Sequence, residues 1–200
     1  IPQIIGEGTF TYEIQLQWAK LPDSWILKDV ADVAVDDAND RVYVFQRWKH
    51  PMLVFDREGN FLTSWGEETF VRAHGITMGP DETIYCTDDY GHCVKKCTLE
   101  GEVLMTIGIP GQPAPFMSGE PFHRCTHVAL DPATNDIYVA DGETARGNQR
   151  IAVLDRNGQL LAGSEPSFSL LSDEPGLRQL EDIGLLDIPD DERPALEARA

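Results

Sequence analysis

The chain has 200 residues, and 42% of them are hydrophobic, which suffices for one substantial core and predicts a single main soluble domain. Lysine and arginine number 16 against 34 aspartates and glutamates, so the formal net charge is −18. This balance excludes a function dominated by phosphate contacts, because nucleic-acid binding needs a clustered basic surface. No segment has the roughly 20 consecutive apolar residues that cross a bilayer, so no membrane span is expected.

The chain starts with IPQIIGEG, which lacks an initiating Met and the basic region and apolar core of a signal peptide. Processing upstream is compatible with this start, so a secreted or periplasmic location is neither indicated nor excluded. Four cysteines would allow three disulfide pairings in an oxidising compartment, but buried free thiols are the first expectation. Within one predicted strand, Cys93 and Cys97 lie about 13 Å apart and cannot bridge each other. The other two cysteines are Cys86 and Cys125.

The first predicted element is a strand in residues 9–18, TFTYEIQLQW, where apolar and polar side chains alternate. The segment LPDSW then leads into a repetitive region. We therefore separate a lead-in, residues 1–29, from the repeats in residues 30–163.

Three segments within the repeats align with one another: DVAVDDANDRVYVF, GITMGPDETIYCTD and HVALDPATNDIYVAD. Each predicts a short apolar strand, a polar turn and a second apolar strand centred on a tyrosine. The tyrosines are Tyr43, Tyr85 and Tyr138, spaced 42 and 53 residues apart. A repeat of about 40 to 50 residues that is built from strands is typical of a propeller blade rather than of a helical solenoid.

A second pair of strands follows each segment, in VFDREGNFLTSWG, KCTLEGEVLMTIG and VLDRNGQLLAGSE. Their turn glycines, Gly59, Gly101 and Gly158, supply the positive φ that a short hairpin loop requires. Each repeat is thus four antiparallel strands, which predicts an all-β fold with three propeller blades. A β-sandwich is the alternative, but it has no reason to repeat a glycine and a tyrosine in phase.

Residues 164–200 form a different, acidic tail with ten carboxylates and three arginines. Apolar side chains recur there at helical spacing after Ser172, which is a candidate N-cap. We expect a short amphipathic helix in this tail, carrying Leu177, Leu180, Ile183 and Leu186.

The run VAVDDANDRVYVFQRWKHPMLVFDREGNFLTSWGEETFVRAHGITMGPDETIYCTDDYGHCVKK, followed by PFHRCTHVALDPATNDIYVADG, resembles the NHL-repeat family of peptidyl-α-hydroxyglycine α-amidating lyases. The resemblance covers residues 30–163 and implies a six-bladed β-propeller. It implies zinc bound by histidines on one face of the central channel, an arginine and a tyrosine near the metal, and a structural calcium. The implied reaction cleaves peptidyl-α-hydroxyglycine to a peptide amide and glyoxylate.

Carried over by position, the resemblance makes His74 a zinc ligand and Arg47 the catalytic arginine that binds substrate. It also places calcium-binding backbone carbonyls at Val33 and Ile76. The family's tyrosine follows an Asp-Gly pair in the third blade, where this chain has Glu143. The other two zinc histidines of the family belong to later blades, beyond the three repeats found here.

The residues alone leave other roles open for these side chains. A catalytic zinc takes about three protein ligands, so a lone His74 is equally compatible with a structural or solvated histidine. Arg47 is expected to pair with a carboxylate such as Asp89 rather than with substrate. Near the third repeat, His123 and His127 flank a cysteine, but their spacing favours no metal site.

Five polar residues precede or follow an inner strand at equivalent points of their blades, so we expect them to converge near one end of the channel. Charges shift a pKa strongly only within about 6 Å, so a larger separation of Arg47 from His74 would remove the case for a shared site. The expected binding residues are Asp88, Asp89 and Asp141, beside Arg47 and His74.

Two functions from different classes remain, apart from a truncated product with a divergent tail. The first is a binding or scaffold module with lyase ancestry. The second is a zinc-dependent amidating lyase whose ring is completed by another chain or segment. Three blades do not close a ring of four to eight, so two apolar blade faces are predicted to be unmatched. Self-association of third blade against first, or a completing chain, is therefore expected, with the acidic tail as an alternative cap.

Overall fold

The computed structural model describes residues 3–115, 122–143, 148 and 150–161. Every regular element in these ranges is a β-strand. The described residues contain no helix that is long and apolar enough to cross a membrane. The predicted helical tail, residues 164–200, lies outside the described residues. In chain order the strands are β1 (Gln3–Glu7), β2 (Phe10–Ile14), β3 (Val30–Asp36), β4 (Arg41–Gln46), β5 (Met52–Asp56), β6 (Phe61–Trp65), β7 (Ala73–Gly79), β8 (Thr83–Asp88), β9 (Cys93–Thr98), β10 (Val103–Gly108), β11 (Cys125–Leu130), β12 (Ile137–Asp141) and β13 (Arg150–Leu154).

Three sheets follow one another along the chain, as the repeats predict. Strands β3 to β6 form the first blade and β7 to β10 the second, and each strand pairs antiparallel with the next. The third blade contains β11, β12 and β13. A fourth pairing starts where Leu161 N donates to Val153 O at 3.0 Å, at the end of the described residues. The predicted all-β propeller class with four-stranded blades is confirmed.

The cores lie between neighbouring blades. Tyr43, Phe45 and Met52 of the first blade pack against Ile84 and Cys97 of the second. A second cluster joins the second blade to the third. The sheet of the second blade is therefore covered on both faces, which explains the double-sided apolar pattern of its middle strands. All four cysteines are buried and free, so the expectation of free thiols is confirmed.

The turn glycines tie each blade to the preceding element. Gly59, Gly101 and Gly158 have φ of 77°, 97° and 79°, as the hairpin turns predict. A Cβ on Gly101 would lie 2.7 Å from the Trp65 ring, whose Nε1 donates to Leu99 O at 3.1 Å. The glycine is therefore needed both for its backbone conformation and for the close approach of the neighbouring blade.

The lead-in covers the free face of the first blade, so the prediction of two unmatched faces is wrong for this side. The Trp18 ring lies 5.4 Å from the Phe55 ring, and Trp25 meets Phe61 edge-on at 5.3 Å. Trp18 Nε1 also donates to Arg57 O at 3.0 Å. The predicted strand in residues 9–18 is shorter than expected, since β2 ends at Ile14 and pairs with β1.

The outer face of the third blade is open in the described part of the chain. Ile151 is 63% exposed, and its register partner is Ala140 on the neighbouring strand. Tyr138 and Val153 pair beside them on the same face, while the alternate residues are buried against the second blade. Among the described residues, no segment covers this apolar face.

Candidate functional site

The candidate site lies on the rim where the first two strands of a blade meet. In all three blades the last residue of the second strand pairs with the first residue of the first strand: Val30 with Gln46, Ala73 with Asp88, and Cys125 with Asp141. Residues just before the first strand and just after the second strand therefore share one end of each blade. This arrangement brings polar residues of the second and third blades together.

The three residues that end the second strands are buried and bind backbone rather than solvent. Asp88 accepts hydrogen bonds from Val71 N, Arg72 N and Gly91 N at 2.8, 2.9 and 2.8 Å. Its carboxylate therefore fixes the segment that leads into β7, and its oxygens face three backbone donors.

Asp141 and Gln46 hold the lead segments of the other two blades in the same way. Asp141 accepts from His123 N at 2.7 Å, and Asn148 Nδ2 and Arg150 Nε donate to it at 2.7 and 3.1 Å. Gln46 Oε1 accepts from Lys28 N at 2.8 Å. The structure thus places two of the predicted binding residues, Asp88 and Asp141, in backbone-organising positions beneath the rim.

Two arginines converge on two carboxylates above these anchors. Arg72 Nη1 and Arg124 Nη2 lie 2.7 and 2.8 Å from the same oxygen of Asp89, whose side chain is fully buried. Both guanidinium groups also contact one oxygen of Glu143, Arg72 at 3.3 Å and Arg124 more closely. We name Arg72, Arg124, Asp89, Glu143 and Tyr90 the rim cluster.

Tyr90 supports both guanidinium groups. The guanidinium carbons of Arg72 and Arg124 each lie 4.6 Å from its ring centroid, within the range of cation–π attraction. The Tyr90 residue is itself 50% exposed. The ring therefore restrains the two arginines while keeping one side open to solvent.

The pKa values of the two carboxyl groups in the rim cluster are shifted in opposite directions. Burial raises the pKa of Asp89, and the neighbouring Glu143 raises it further against the opposing effect of the arginines. For Glu143 burial also acts to raise the pKa, but contacts with Asp89, Arg124 and Arg72 outweigh it and lower the pKa. Glu143 is therefore the carboxylate that keeps its negative charge more readily.

His74 joins the rim cluster from β7. Its Nδ1 lies 3.0 Å from Thr126 O, and its Nε2 lies 3.3 Å from Glu143 Oε1. A carbonyl oxygen only accepts, so Nδ1 carries the hydrogen, and a protonated ring would donate to both partners. The predicted zinc ligand thus faces a carboxylate from the neighbouring blade.

Arg47 lies beside the residue that precedes His74. Its Nε donates to Ala73 O at 2.9 Å, and its backbone N donates to Asp29 O at 3.1 Å. Asp89 pairs with the two rim arginines instead, so the structure does not show the alternative pairing of Arg47 with Asp89.

The positions implied for calcium lie on neighbouring inner strands. Asp32, which precedes Val33, accepts a hydrogen bond from Ile76 N at 2.9 Å and lies 3.5 Å from His127 Nδ1. His123 faces Ala114 O at 2.7 Å instead. Among the residues that the structure describes, no group of three or more His, Cys, Asp or Glu side chains is arranged to hold a metal. The described donors therefore do not fit a three-ligand zinc site.

Sequence reasoning missed Arg72, Arg124 and Tyr90. A signal for the arginines exists, because each follows a phenylalanine by two residues, in FVR at 70–72 and FHR at 122–124. Their separation of 52 residues nearly equals the separation of 53 between Tyr85 and Tyr138. Placing the two arginines in phase with the repeat would have predicted that they share a rim.

Comparisons with known proteins agree with the propeller fold. No sequence-family profile matches this chain. Human NHL repeat-containing protein 3 is 30% identical over 149 residues, which are 70% of this chain and 42% of that protein. Peptidyl-alpha-hydroxyglycine alpha-amidating lyase 1 of Drosophila melanogaster is 35% identical over 107 residues, 52% of this chain and 18% of that protein. The chain thus spans less than half the length of these relatives.

Solved structures share the fold at low sequence identity. A nidogen/laminin complex superposes with a TM-score of 0.54 and 15% identity, covering 78% of this chain and 54% of that chain. A streptogramin B lyase gives a TM-score of 0.52 and 13% identity, covering 69% of this chain and 41% of that chain. At such identity the likeness concerns the fold alone.

Proposed function

We propose that this chain, an NHL-type β-propeller with similarity to the peptidylglycine amidating lyases, acts as a binding or scaffold module that presents the rim of its second and third blades. The observation that carries the proposal is the rim cluster. Arg72 and Arg124 are largely buried yet reach solvent beside a half-exposed Tyr90. Partly desolvated arginines next to an exposed aromatic ring are typical of recognition surfaces.

The residue at the position that the lyase resemblance assigns to a tyrosine supports a binding role for this chain rather than a catalytic one. Glu143 stands there, and its carboxylate contacts both arginines and His74. A carboxylate at this point neutralises the arginines and engages the one histidine that the resemblance assigns to zinc. The geometry therefore favours a charged recognition site over the metal site of the amidating lyases.

The alternative is a zinc-dependent amidating lyase, which releases a peptide amide and glyoxylate when another chain or segment completes the ring. Its support is the similarity to the Drosophila lyase and the partly exposed position of His74 on the rim. In that case His74 would hold zinc, Arg47 would bind substrate, and the Val33 and Ile76 carbonyls would hold calcium. The remaining zinc ligands would have to come from the completing chain or segment.

Zinc content separates the two functions. We expect the purified chain, after dialysis in metal-free buffer and addition of one equivalent of zinc, to retain far less than one zinc per chain by mass spectrometry. His74→Ala should leave that value unchanged. His50→Ala is the matched control, because His50 is also partly exposed and also faces a glutamate, Glu67, at 2.7 Å.

One result would reverse the assignment. Stoichiometric zinc that His74→Ala removes and His50→Ala retains, together with glyoxylate release from a peptidyl-α-hydroxyglycine, would identify a lyase and refute the binding module.

A further inference from the structure

We infer that the guanidinium groups of Arg72 and Arg124 form a binding site for the carboxylate of a ligand, and that the side chain of Glu143 fills this site in the present structure. The inference rests on the proposed function, since it names the chemical class that the rim cluster recognises. It assigns Glu143 the role of an internal competitor.

The two arginines are built into equivalent places of adjacent blades, each one residue before an innermost strand. They converge on one oxygen of Asp89 and on one oxygen of Glu143. Guanidinium groups match carboxylates through charge-assisted, often paired, hydrogen bonds. The arrangement is therefore a two-arginine clamp with room for two carboxylates.

Only one of the two carboxylates can be exchanged for a ligand. The Asp89 side chain is fully buried and forms the floor of the clamp, whereas the Glu143 side chain is 27% exposed. Two guanidinium charges face one fixed carboxylate, so the clamp requires at least one further anion for neutrality. Glu143 supplies that anion from the solvent side, where a ligand would also arrive.

The clamp also has hydrogen-bonding capacity that its present occupant does not use. Arg124 Nε is a buried donor without a hydrogen-bond partner in the described part of the structure, and a carboxylate can serve it; the likewise unpaired Asp89 Oδ1 is an acceptor that a carboxylate cannot serve. Burying a polar group without a partner is costly, so such groups point to a missing ligand or water. A ligand that enters the clamp at a different angle from Glu143 can reach the unused guanidinium donor.

Tyr90 prepares the clamp for binding. Because its ring lies 4.6 Å from both guanidinium carbons, the arginines are held before a ligand arrives. Restraining long side chains in advance lowers the entropy lost on binding. The exposed part of the ring offers an apolar surface to the carbon skeleton next to the ligand's carboxylate.

Glu143 should weaken binding to the unaltered chain, because a tethered side chain competes at a high effective concentration. Calorimetric titration with succinate tests this directly. We expect Glu143→Ala to bind succinate at least about tenfold more tightly than the unaltered chain. Glu67→Ala is the matched control, since it removes a partly exposed carboxylate that also contacts a histidine.

A second variant tests the arginines themselves. Arg72→Gln in the Glu143→Ala background should abolish the gain. Arg57→Gln should not, because Arg57 forms surface ion pairs with Asp37 and Asp40 away from the rim cluster. Circular dichroism confirms that each variant keeps its β-structure before titration.

The probes also distinguish the source of the carboxylate. Tight binding of succinate, with weak binding of a capped Gly-Glu-Gly peptide, would assign a small free acid, whereas equal binding of both would assign an acidic side chain. Sulfate binding as tightly as succinate would overturn the carboxylate class. A folded Glu143→Ala that binds succinate no better than Glu67→Ala would overturn the site, whatever the zinc measurement shows about the lyase alternative.

Discussion

At the scale of single residues, Asp88 and Asp141 show how a rim position can serve the backbone instead of a ligand. The sequence predicts that both lie at one end of the channel, because both end an inner strand of their blade. It does not reveal that Asp88 turns to the backbone of Val71 and that Asp141 turns to His123. These partners lie 17 and 18 residues earlier, and no periodic pattern links a turn donor to its acceptor.

Replacing Asp88 with Ala should destabilise the chain strongly. The substitution removes the acceptor of three backbone donors, of which Gly91 N is buried and Val71 N and Arg72 N are partly buried. An unsatisfied buried donor costs about 1–3 kcal/mol. We expect a loss of about 1–3 kcal/mol in the free energy of unfolding, measured by urea denaturation. Asp155→Ala is the control, since Asp155 accepts from Asn157 N and Gln159 N in an exposed turn. A loss no larger than that of the control would contradict this role of Asp88.

His92 should titrate with a pKa below its ordinary value of 6.5. Burial lowers its pKa, and the nearby His123 and Arg124 lower it further. Its Nδ1 also accepts a hydrogen bond from Arg124 N at 3.2 Å, which requires the neutral ring. Because the folded chain disfavours the protonated form, the stability from this group is present above the unfolded pKa and is lost as the pH falls through the folded pKa. An NMR titration that gives a His92 pKa of 6.5 or more would show that the ring is not buried beside His123 and Arg124.

At the scale of elements, the lead-in makes a contact with the first blade that the first blade repeats with the second. Trp18 Nε1 donates to Arg57 O beside Gly59, as Trp65 Nε1 donates to Leu99 O beside Gly101. The sequence predicts the strands and their turn glycines correctly from alternation and phase. The sequence does not reveal the tryptophan contact, because Trp18 precedes Gly59 by 41 residues whereas Trp65 precedes Gly101 by 36, so the two tryptophans do not align in the repeat.

The contact between a turn glycine and the preceding element can be tested with a pair of alanine substitutions. Gly101→Ala adds a Cβ about 2.7 Å from the Trp65 ring at a φ of 97°, so both strain and a clash are expected. Gly111→Ala is the control, since its φ is 74° and nothing lies within 4 Å of an added Cβ. We expect Gly101→Ala to lose about 1–3 kcal/mol more than Gly111→Ala in thermal or urea unfolding. Equal losses would mean that the backbone conformation alone requires the glycine.

At the scale of the whole molecule, the two free blade faces differ. From the number of blades, the sequence predicts two unmatched apolar blade faces. The number of blades alone does not reveal that the lead-in covers one of these faces. Coverage depends on the long-range packing of Trp18 and Trp25 against Phe55 and Phe61, which alternation in residues 9–18 does not specify. The described part of the third blade keeps its outer face, with Ile151, open.

We expect this outer face to mediate self-association through contact between the third blades of two copies. The sequence alone predicts contact between the third blade of one copy and the first blade of the other. Sedimentation at micromolar concentration should show a species larger than the 22.3 kDa chain. Ile151→Asp should shift it toward the single chain, because burying an unpaired charge in an apolar contact is costly. Ile26→Asp, at a comparably exposed isoleucine of the lead-in, is the control. A species of 22.3 kDa at every concentration would contradict self-association.

The central claim is that the rim between the second and third blades is the ligand site of this propeller. Mapping amide chemical shifts by NMR while succinate is added to the Glu143→Ala chain tests it most directly, because the map reports where the ligand binds. We predict that the largest saturable shifts fall on Arg72, Asp89, Tyr90 and Arg124, with the outer face of the third blade unaffected. Shifts that do not saturate, or that cluster away from these four residues, would contradict the claim.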